Sequence, residues 1–154
     1  LTYCSVLSGA VDLSGVSAIG DKAFMNTSLT ETRFSKNTVY LGFDAFAGTK
    51  LQKAIITGNA EFIAKTAFGD NAQTLIYCNK GAGAESYAAE NGISYRYFGD
   101  LDSDGSFTAT DLSLLKRLLL NIDSAFDPTA SDVNADSKVD ILDLVRLKKL
   151  AAKA

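Results

Sequence analysis

The sequence predicts an α+β chain of two modules. The first is a short-strand solenoid closed by a helix, and the second is an all-α module of two loop–helix repeats. Three observations predict this. The dipeptide Ala-Phe recurs every 22 residues early in the chain, and a spaced run of aspartates recurs after 32 residues near its end. Charge also changes: residues 1–97 carry eight basic and eight acidic side chains, and residues 98–154 carry seven and ten, so we place the domain boundary there.

The composition excludes several classes of protein. The net charge is −3 with scattered Lys and Arg, which argues against nucleic-acid binding. No run reaches the roughly 18–20 apolar residues of a membrane helix. Histidine is absent, so no His-based triad or His metal ligand exists. The chain begins without Met and partway through a repeat, so we interpret it as a fragment of a longer protein.

The Ala-Phe dipeptides end at Phe24, Phe46 and Phe68. A fixed period in the twenties is typical of a solenoid, in which each repeat is one coil stacked on the next. The alternating segments 29–34 and 51–57 are predicted to be short strands, paired in parallel between coils. We expect the phenylalanines to form a buried ladder, in preference to a binding stripe.

Leucines that begin the predicted strands give the expected register. They are Leu7, Leu29, Leu51 and Leu75. The first three are 22 residues apart and should form one column, whereas the fourth arrives two residues late, which predicts an insertion. The same spacing should bring Glu31 opposite Lys53. Cys4 and Cys78 lie about three coils apart, which is too far for a disulfide, so both should be free, buried thiols.

The pattern Ile-Gly-x-x-Ala-Phe, followed by a leucine strand, resembles the leucine-rich repeats of BspA-like surface proteins over residues 1–97. Residues 82–93 resemble the alanine–tyrosine helix that closes such arrays, with Asn91-Gly92 as its C-cap. The resemblance implies a rigid spacer, or a surface that binds a protein or a polysaccharide. No acidic residues stack at 22-residue spacing, so we predict no catalytic residues in this module.

Two twelve-residue segments, 100–111 and 132–143, have oxygen-bearing side chains at the spacing of an EF-hand-like calcium loop. Candidate ligands of a first Ca²⁺ are Asp100, Asp102, Asp104, Ser106, Thr108 and Asp111. Candidate ligands of a second Ca²⁺ are Asp132, Asn134, Asp136, Lys138, Asp140 and Asp143. Position 7 of such a loop contributes its main-chain carbonyl. Crowded carboxylates repel one another unless a cation lies among them, so the sequence predicts two bound calcium ions.

Each loop leads into a helix with one apolar stripe. The stripes are Leu112, Leu115, Leu118 and Leu119 in the first helix, and Leu144, Leu147 and Leu150 in the second. We expect the two stripes to pack together. Asp127-Pro128 should prevent a helix from entering the second loop closely. Ser137 stands where the first loop has Gly105, and a non-glycine residue at this sharp turn should weaken calcium binding by the second loop.

Both loops end in aspartate, not glutamate, and neither has an obvious entering helix. With Gly99-Asp100, Asp111-Leu112 and the Leu-Lys-Arg and Leu-Lys-Lys runs, residues 99–153 resemble a type I dockerin. The resemblance implies calcium-dependent attachment to a cohesin module of a cellulosome scaffold. It further implies an extracellular, scaffold- or cell-surface-associated protein of an anaerobic fibre-degrading bacterium.

The resemblance also implies a cohesin-binding face. Its residues would be Ala109, Thr110, Lys116, Arg117, Ile141, Leu142, Val145, Lys148 and Lys149. The basic residues of the two repeats match, but Ala109-Thr110 and Ile141-Leu142 do not. We therefore expect one dominant binding orientation with Ile141 and Leu142 as an exposed apolar anchor; the alternative is that this pair packs against residues 126–131.

Two other functions stay open at this stage. The chain is interpreted as non-catalytic, yet it could be the C-terminal part of a carbohydrate-active enzyme whose catalytic module lies upstream. It could also be a calcium sensor unrelated to cohesins, which would bind target helices. The identity of the partner distinguishes these readings.

Overall fold

The computed structural model describes residues 6–70, 73–122 and 126–153. Its internal contacts divide the chain into two compact units that meet between Tyr95 and Arg96. Within the described ranges, no helix has the length and apolar character that crossing a membrane requires. Each unit is described by itself below.

The first unit is a β-solenoid, as predicted. Its elements are β1 (Ser8–Leu13), β2 (Ala18–Ile19), β3 (Ser28–Phe34), β4 (Tyr40–Leu41), β5 (Lys53–Ile56), β6 (Phe62–Ile63), β7 (Leu75–Cys78) and α1 (Gly83–Glu90). A further strand, β8 (Ser94–Tyr97), follows and includes the point between Tyr95 and Arg96 at which the chain divides. One sheet has the order β1-β3-β5-β7-β8, and a second has the order β2-β4-β6. From β1 to β7, strands that alternate along the chain therefore belong to the same sheet, as expected for a chain that forms a solenoid.

The 22-residue register holds in most of the solenoid. Glu31 of β3 pairs with Lys53 of β5, and Lys53 pairs with Leu75 of β7, each 22 residues on. The insertion predicted before Leu75 is therefore wrong, because this leucine continues the column of Lys53. The first pair of strands also departs from the prediction: Leu29 lies opposite Gly9, a spacing of 29 − 9 = 20, and beyond a register shift after Gly9 the spacing is 31 − 10 = 21, between Ala10 and Glu31.

The predicted phenylalanine ladder forms the core of the solenoid. The ring centroids of Phe24 and Phe46 are 5.2 Å apart and those of Phe46 and Phe68 are 5.5 Å apart, and both pairs are stacked. Phe34 meets the ring of Phe46 edge-on at 5.5 Å. Phe34, Phe46 and Phe68 are buried. These rings are therefore packed core, and not a binding stripe.

Helix α1 closes the array at its end. The ring of Tyr87 lies 5.8 Å from that of Phe68, and its hydroxyl donates to the main-chain oxygen of Lys65 at 3.2 Å. The helix ends at Glu90 with Asn91 as its C-cap; Gly92 follows with a φ of 66°, and the amide of Ile93 donates to the oxygen of Ala88 at 2.9 Å. This is the glycine-terminated helix end that Asn91-Gly92 predicts.

Cys78, on β7, is a free and buried thiol. Desolvation raises its pKa to about 12, with a smaller contribution from the charge of Glu85. The prediction of a free thiol is therefore confirmed at Cys78. Cys4 lies outside the described residues.

The second unit contains α2 (Ala109–Leu119), α3 (Pro128–Ser131) and α4 (Ile141–Ala151). Its buried core consists of Leu115, Val133 and Leu147. The partly buried side chains around this core are Leu101, Phe107, Leu112, Leu118, Leu119, Val139, Leu144 and Leu150. The predicted apolar stripes of the two long helices therefore share one core.

Helix α3 directly precedes residue 132, so the prediction that no helix enters the second loop closely is wrong. Asp127 is the N-cap of this helix, and its side chain accepts a hydrogen bond from the amide of Thr129 at 2.9 Å. Pro128 takes the first helical position, where a missing N–H leaves no helical bond unmade. The proline therefore starts a helical turn instead of preventing one.

Candidate functional site

Three carboxylates of loop 1, residues 100–111, converge in the second unit. Asp100, Asp102 and Asp104 each place an oxygen within 4.8 Å of the others. Asp100 is buried, whereas the other two are exposed. Burial raises the pKa of Asp100, and the charges of Asp111 and Asp102 add to this rise. A cation among these groups would remove the repulsion between them.

The main chain of loop 1 wraps around these acids. Asp100 accepts hydrogen bonds from the amides of Asp104, at 3.1 Å, and Gly105, at 2.9 Å. Asp104 in turn accepts from the amide of Ser106 at 2.8 Å. The turn depends on left-handed backbone at two positions, Ser103 with a φ of 63° and Gly105 with a φ of 82°. The same main-chain conformation therefore both curves the loop and positions its carboxylates.

Asp111, at the end of loop 1, joins the loop to helix α2. Its fully buried carboxylate accepts from the amide of Leu101 and from the amide of Thr108, both at 2.8 Å. The Thr108 hydroxyl accepts from the amide of Thr110 at 3.1 Å and also from the amide of Asp111, and this second bond, with the one from the Thr108 amide to Asp111, forms a capping box. In the described part of the chain, the group of three converging acids does not include Asp111. The structure therefore shows this predicted ligand in a second role, as a helix cap.

Loop 2, residues 132–143, repeats the contacts of loop 1 with an offset of 32 residues. The buried carboxylate of Asp132 accepts from the amides of Asp136 and Ser137, each at 2.9 Å. Asp136 accepts from the amide of Lys138 at 2.9 Å. These bonds match those of Asp100 and Asp104 one by one, so the two loops share one main-chain architecture.

The end of loop 2 is similar, with one donor shifted: the third residue of the loop donates to the closing aspartate at 3.0 Å, whereas in loop 1 the second residue, Leu101, is the nearer donor. The fully buried Asp143 accepts from the amides of Asn134, at 3.0 Å, and Asp140, at 2.8 Å. Asp140 caps helix α4 by accepting from the amide of Leu142 at 2.8 Å. Burial raises the pKa of Asp143, and the charges of Asp132 and Asp136 raise it further.

The loops differ at the third and sixth positions. Asn134 replaces the aspartate of loop 1, and its amide nitrogen donates to Asp136 at 3.1 Å. Ser137 has a φ of 73°, so a non-glycine residue occupies the left-handed conformation that Gly105 adopts in loop 1. Ala135, with a φ of 61°, repeats the left-handed fourth position of loop 1. Sequence reasoning missed this fourth position, because neither serine nor alanine signals a positive φ.

All nine residues of the predicted partner-binding face are exposed, and they lie on helices α2 and α4. Ile141, Leu142 and Val145 are 62%, 56% and 47% exposed, which is unusual for large apolar side chains. The structure therefore does not bury the Ile141-Leu142 pair against residues 126–131. Basic pairs occupy the last turns of the two helices at equivalent positions, 116–117 and 148–149.

Two protein-family models match the chain. The model described as Dockerin type I domain matches residues 98–150. The model described as BspA type Leucine rich repeat region (6 copies) matches residues 3–91. No match was found among curated proteins or among solved structures. Both family matches agree in order and position with the solenoid and the loop–helix repeats: the chain belongs to the BspA-type leucine-rich-repeat family and carries a C-terminal type I dockerin domain.

Proposed function

We propose that this chain attaches through residues 98–154 to a cohesin module of a cellulosome scaffold, and that calcium is required for attachment. The observation that carries the proposal is the matching contact pattern of the two loops. Each places a buried aspartate at its start and another at its end, and each leads into a capped helix. The dockerin family match supports both the cohesin partner and the calcium.

The donor atoms fit calcium. This ion prefers six to eight oxygen ligands, and the loops offer carboxylate, hydroxyl, amide and main-chain oxygens without sulfur or imidazole. Loop 1 would hold one ion through Asp100, Asp102, Asp104, Ser106, Thr108 and Asp111. Loop 2 would hold the other through Asp132, Asn134, Asp136, Lys138, Asp140 and Asp143. Two calcium ions would change the net charge of residues 98–154 from −3 to +1.

Recognition of the cohesin would be asymmetric although the loops are alike. The basic residues at the ends of helices α2 and α4 match, but Ala109 and Thr110 of the first repeat correspond to Ile141 and Leu142 of the second. The exposed Ile141, Leu142 and Val145 form an apolar surface that the first repeat does not reproduce. We therefore propose one dominant orientation, in which this surface contacts the cohesin.

The main test is binding of the full chain to a panel of cohesins, with and without a calcium chelator. We expect binding to at least one cohesin, lost with chelator and restored by added calcium. Binding that survives chelation, or no binding to any cohesin, contradicts the proposal. A calcium sensor would instead bind helical target peptides in the same assay.

A second test addresses orientation. Ile141→Ala combined with Leu142→Ala should weaken cohesin binding at least about tenfold, because apolar anchors at the centre of an interface carry much of its binding energy. The matched control is Thr110→Ala in the first repeat, which should change affinity less than about twofold. Equal affinity of the double variant and the parent would remove the proposed orientation.

We further propose that the solenoid serves as a rigid spacer, or as a surface for a protein or a polysaccharide, in an extracellular protein. The continuous ladder of stacked rings supports rigidity. Leucine-rich repeats and dockerins are non-catalytic modules, which agrees with a binding role for this chain. Small-angle scattering should give a solenoid length that is independent of calcium if the spacer role is right.

A further inference from the structure

We propose that helix α3 couples the two calcium loops, so that calcium in one loop raises the affinity of the other. This inference rests on the proposed calcium function and names how the two sites regulate each other. Its basis is a set of contacts outside the loops, involving Arg96, Gly99 and Asp127, none of which is a candidate ligand.

One main-chain hydrogen bond joins the starting points of the two loops. The amide of Gly99 donates to the oxygen of Ala130 at 2.8 Å. Gly99 directly precedes Asp100, the first candidate ligand of loop 1. Ala130 lies two residues before Asp132, the first candidate ligand of loop 2. The positions of these two buried aspartates are therefore linked through only a few peptide units.

Close packing holds this junction in place. Gly99 has a φ of 96°, and a Cβ built on it would lie 3.0 Å from a methyl carbon of Leu147 and 3.3 Å from one of Val133. Both neighbours belong to the buried core of the unit. The main chain at Gly99 thus fits against the core with no space for a larger residue. A displacement of the start of one loop would therefore displace the start of the other.

Helix α3 is too short to be stable alone, because a single turn fixes several residues for very few hydrogen bonds. At its start, the main-chain oxygen of Asp127 accepts from the amide and hydroxyl of Ser131, at 3.1 and 2.9 Å. At its end, the C-cap residue is Asp132 itself, whose amide donates to the oxygen of Pro128 at 3.2 Å. Calcium that holds Asp132 would therefore also order the helix.

An ion pair provides the second connection. A guanidinium nitrogen of Arg96 lies 3.4 Å from a carboxylate oxygen of Asp127. The other oxygen of Asp127 caps α3 through the amide of Thr129. Arg96 lies four residues before Asp100, so the pair ties the start of α3 to the segment that enters loop 1. Calcium in loop 2 would thus order α3, then Gly99 and the start of loop 1, and linkage requires the reverse effect to be equal.

The test measures calcium affinity of loop 1 by calorimetry in the full chain, with loop 2 intact and with loop 2 disabled by Asp136→Ala. We expect the disabled variant to bind calcium in loop 1 at least about fivefold more weakly. In an Arg96→Gln background this ratio should shrink towards one. Arg96→Lys, which keeps the charge, is the matched control and should retain most of the ratio.

Hydrogen exchange supplies a readout that does not depend on affinity. In a variant with loop 1 disabled by Asp104→Ala, added calcium fills loop 2 alone, and exchange of the Gly99 amide should slow. Unchanged exchange, or a parent ratio of one with both loops binding calcium, overturns the coupling and leaves the proposed function intact. A parent chain that binds no calcium contradicts the proposed function, and the coupling with it.

Discussion

Glu31 and Lys53 lie opposite each other on neighbouring strands of the solenoid, with a carboxylate oxygen 3.2 Å from the ammonium nitrogen. Both side chains are about one third exposed. We expect a double-mutant cycle with Glu31→Gln and Lys53→Gln to give a coupling of about 0.2–1 kcal/mol in urea unfolding. Added salt should reduce it. A coupling that salt does not change would show that the pair does not act through its charges.

Thr32 is a buried residue whose hydroxyl has no hydrogen-bond partner within the described ranges. Thr32→Val keeps the shape and removes the buried polar atom, so it should raise the free energy of unfolding by about 1 kcal/mol. The matched control is Thr49→Val. The Thr49 hydroxyl donates to the oxygen of Phe46 at 2.8 Å, so this change should destabilise. Equal effects of both variants in urea unfolding would contradict this account.

The stacked phenylalanines should dominate the stability of the solenoid. Phe46 is fully buried between two other rings, so Phe46→Ala should lower the free energy of unfolding by about 3–5 kcal/mol. Phe62 is 45% exposed and contacts the rings of Tyr40 and Phe43 at the surface, so Phe62→Ala should cost about 1 kcal/mol. Thermal unfolding of the two variants gives the comparison, and similar losses would refute it.

Cys78 should be inert in the folded chain, because the thiolate is the reactive form and burial raises its pKa to about 12. In a Cys4→Ser variant at pH 8, alkylation followed by mass spectrometry should be at least about a hundredfold slower than in urea. The neutral buried thiol favours the folded state below the unfolded pKa, so this contribution is lost as pH rises from about 9 towards 12. Rapid native alkylation at pH 8 would rule out this burial.

Calcium affinities of the two loops should differ because of their sixth positions. Ser137 holds a left-handed backbone that costs a non-glycine residue about 1 kcal/mol, so Ser137→Gly should strengthen loop 2 severalfold. The reciprocal change, Gly105→Ser, should weaken loop 1 by a similar factor. Site-resolved titration by NMR tests both. If loop 2 of the parent fills first, the prediction that Ser137 weakens loop 2 is contradicted.

Periodic features were predictable from the sequence because one physical constraint repeats along the chain. Strands in neighbouring coils must pair in register, so residues such as Glu31 and Lys53 keep the 22-residue spacing wherever the ladder is regular. The register of the first strand pair was not predictable, because no pattern in the sequence marks the shift between Gly9 and Ala10. Leu7 therefore does not lie in the column of Leu29, which is opposite Gly9.

In the loops, too, some features were predictable from the sequence and others were not. The spacing of acids from Asp100 to Asp143 identified both candidate sites, because oxygen ligands must recur at fixed positions around a cation. Helix α3 was missed because Pro128 was interpreted only as a helix breaker. The capping role of Asp111 was also missed, although Thr108 three residues earlier is a capping-box signature. These residues were interpreted only as candidate ligands, although they also form the start of the helix.

Helix α1 has a consequence for how such proteins vary in size. Because Tyr87 covers the last ring of the ladder, and the rings below it stack in the same way from one coil to the next, the stack would end in the same way however many coils precede it. The length of the solenoid therefore changes in fixed steps: each 22 residues inserted or deleted add or remove one strand spacing, about 4.8 Å. A protein of this design can gain or lose coils while its closing helix and its loop–helix module stay unchanged.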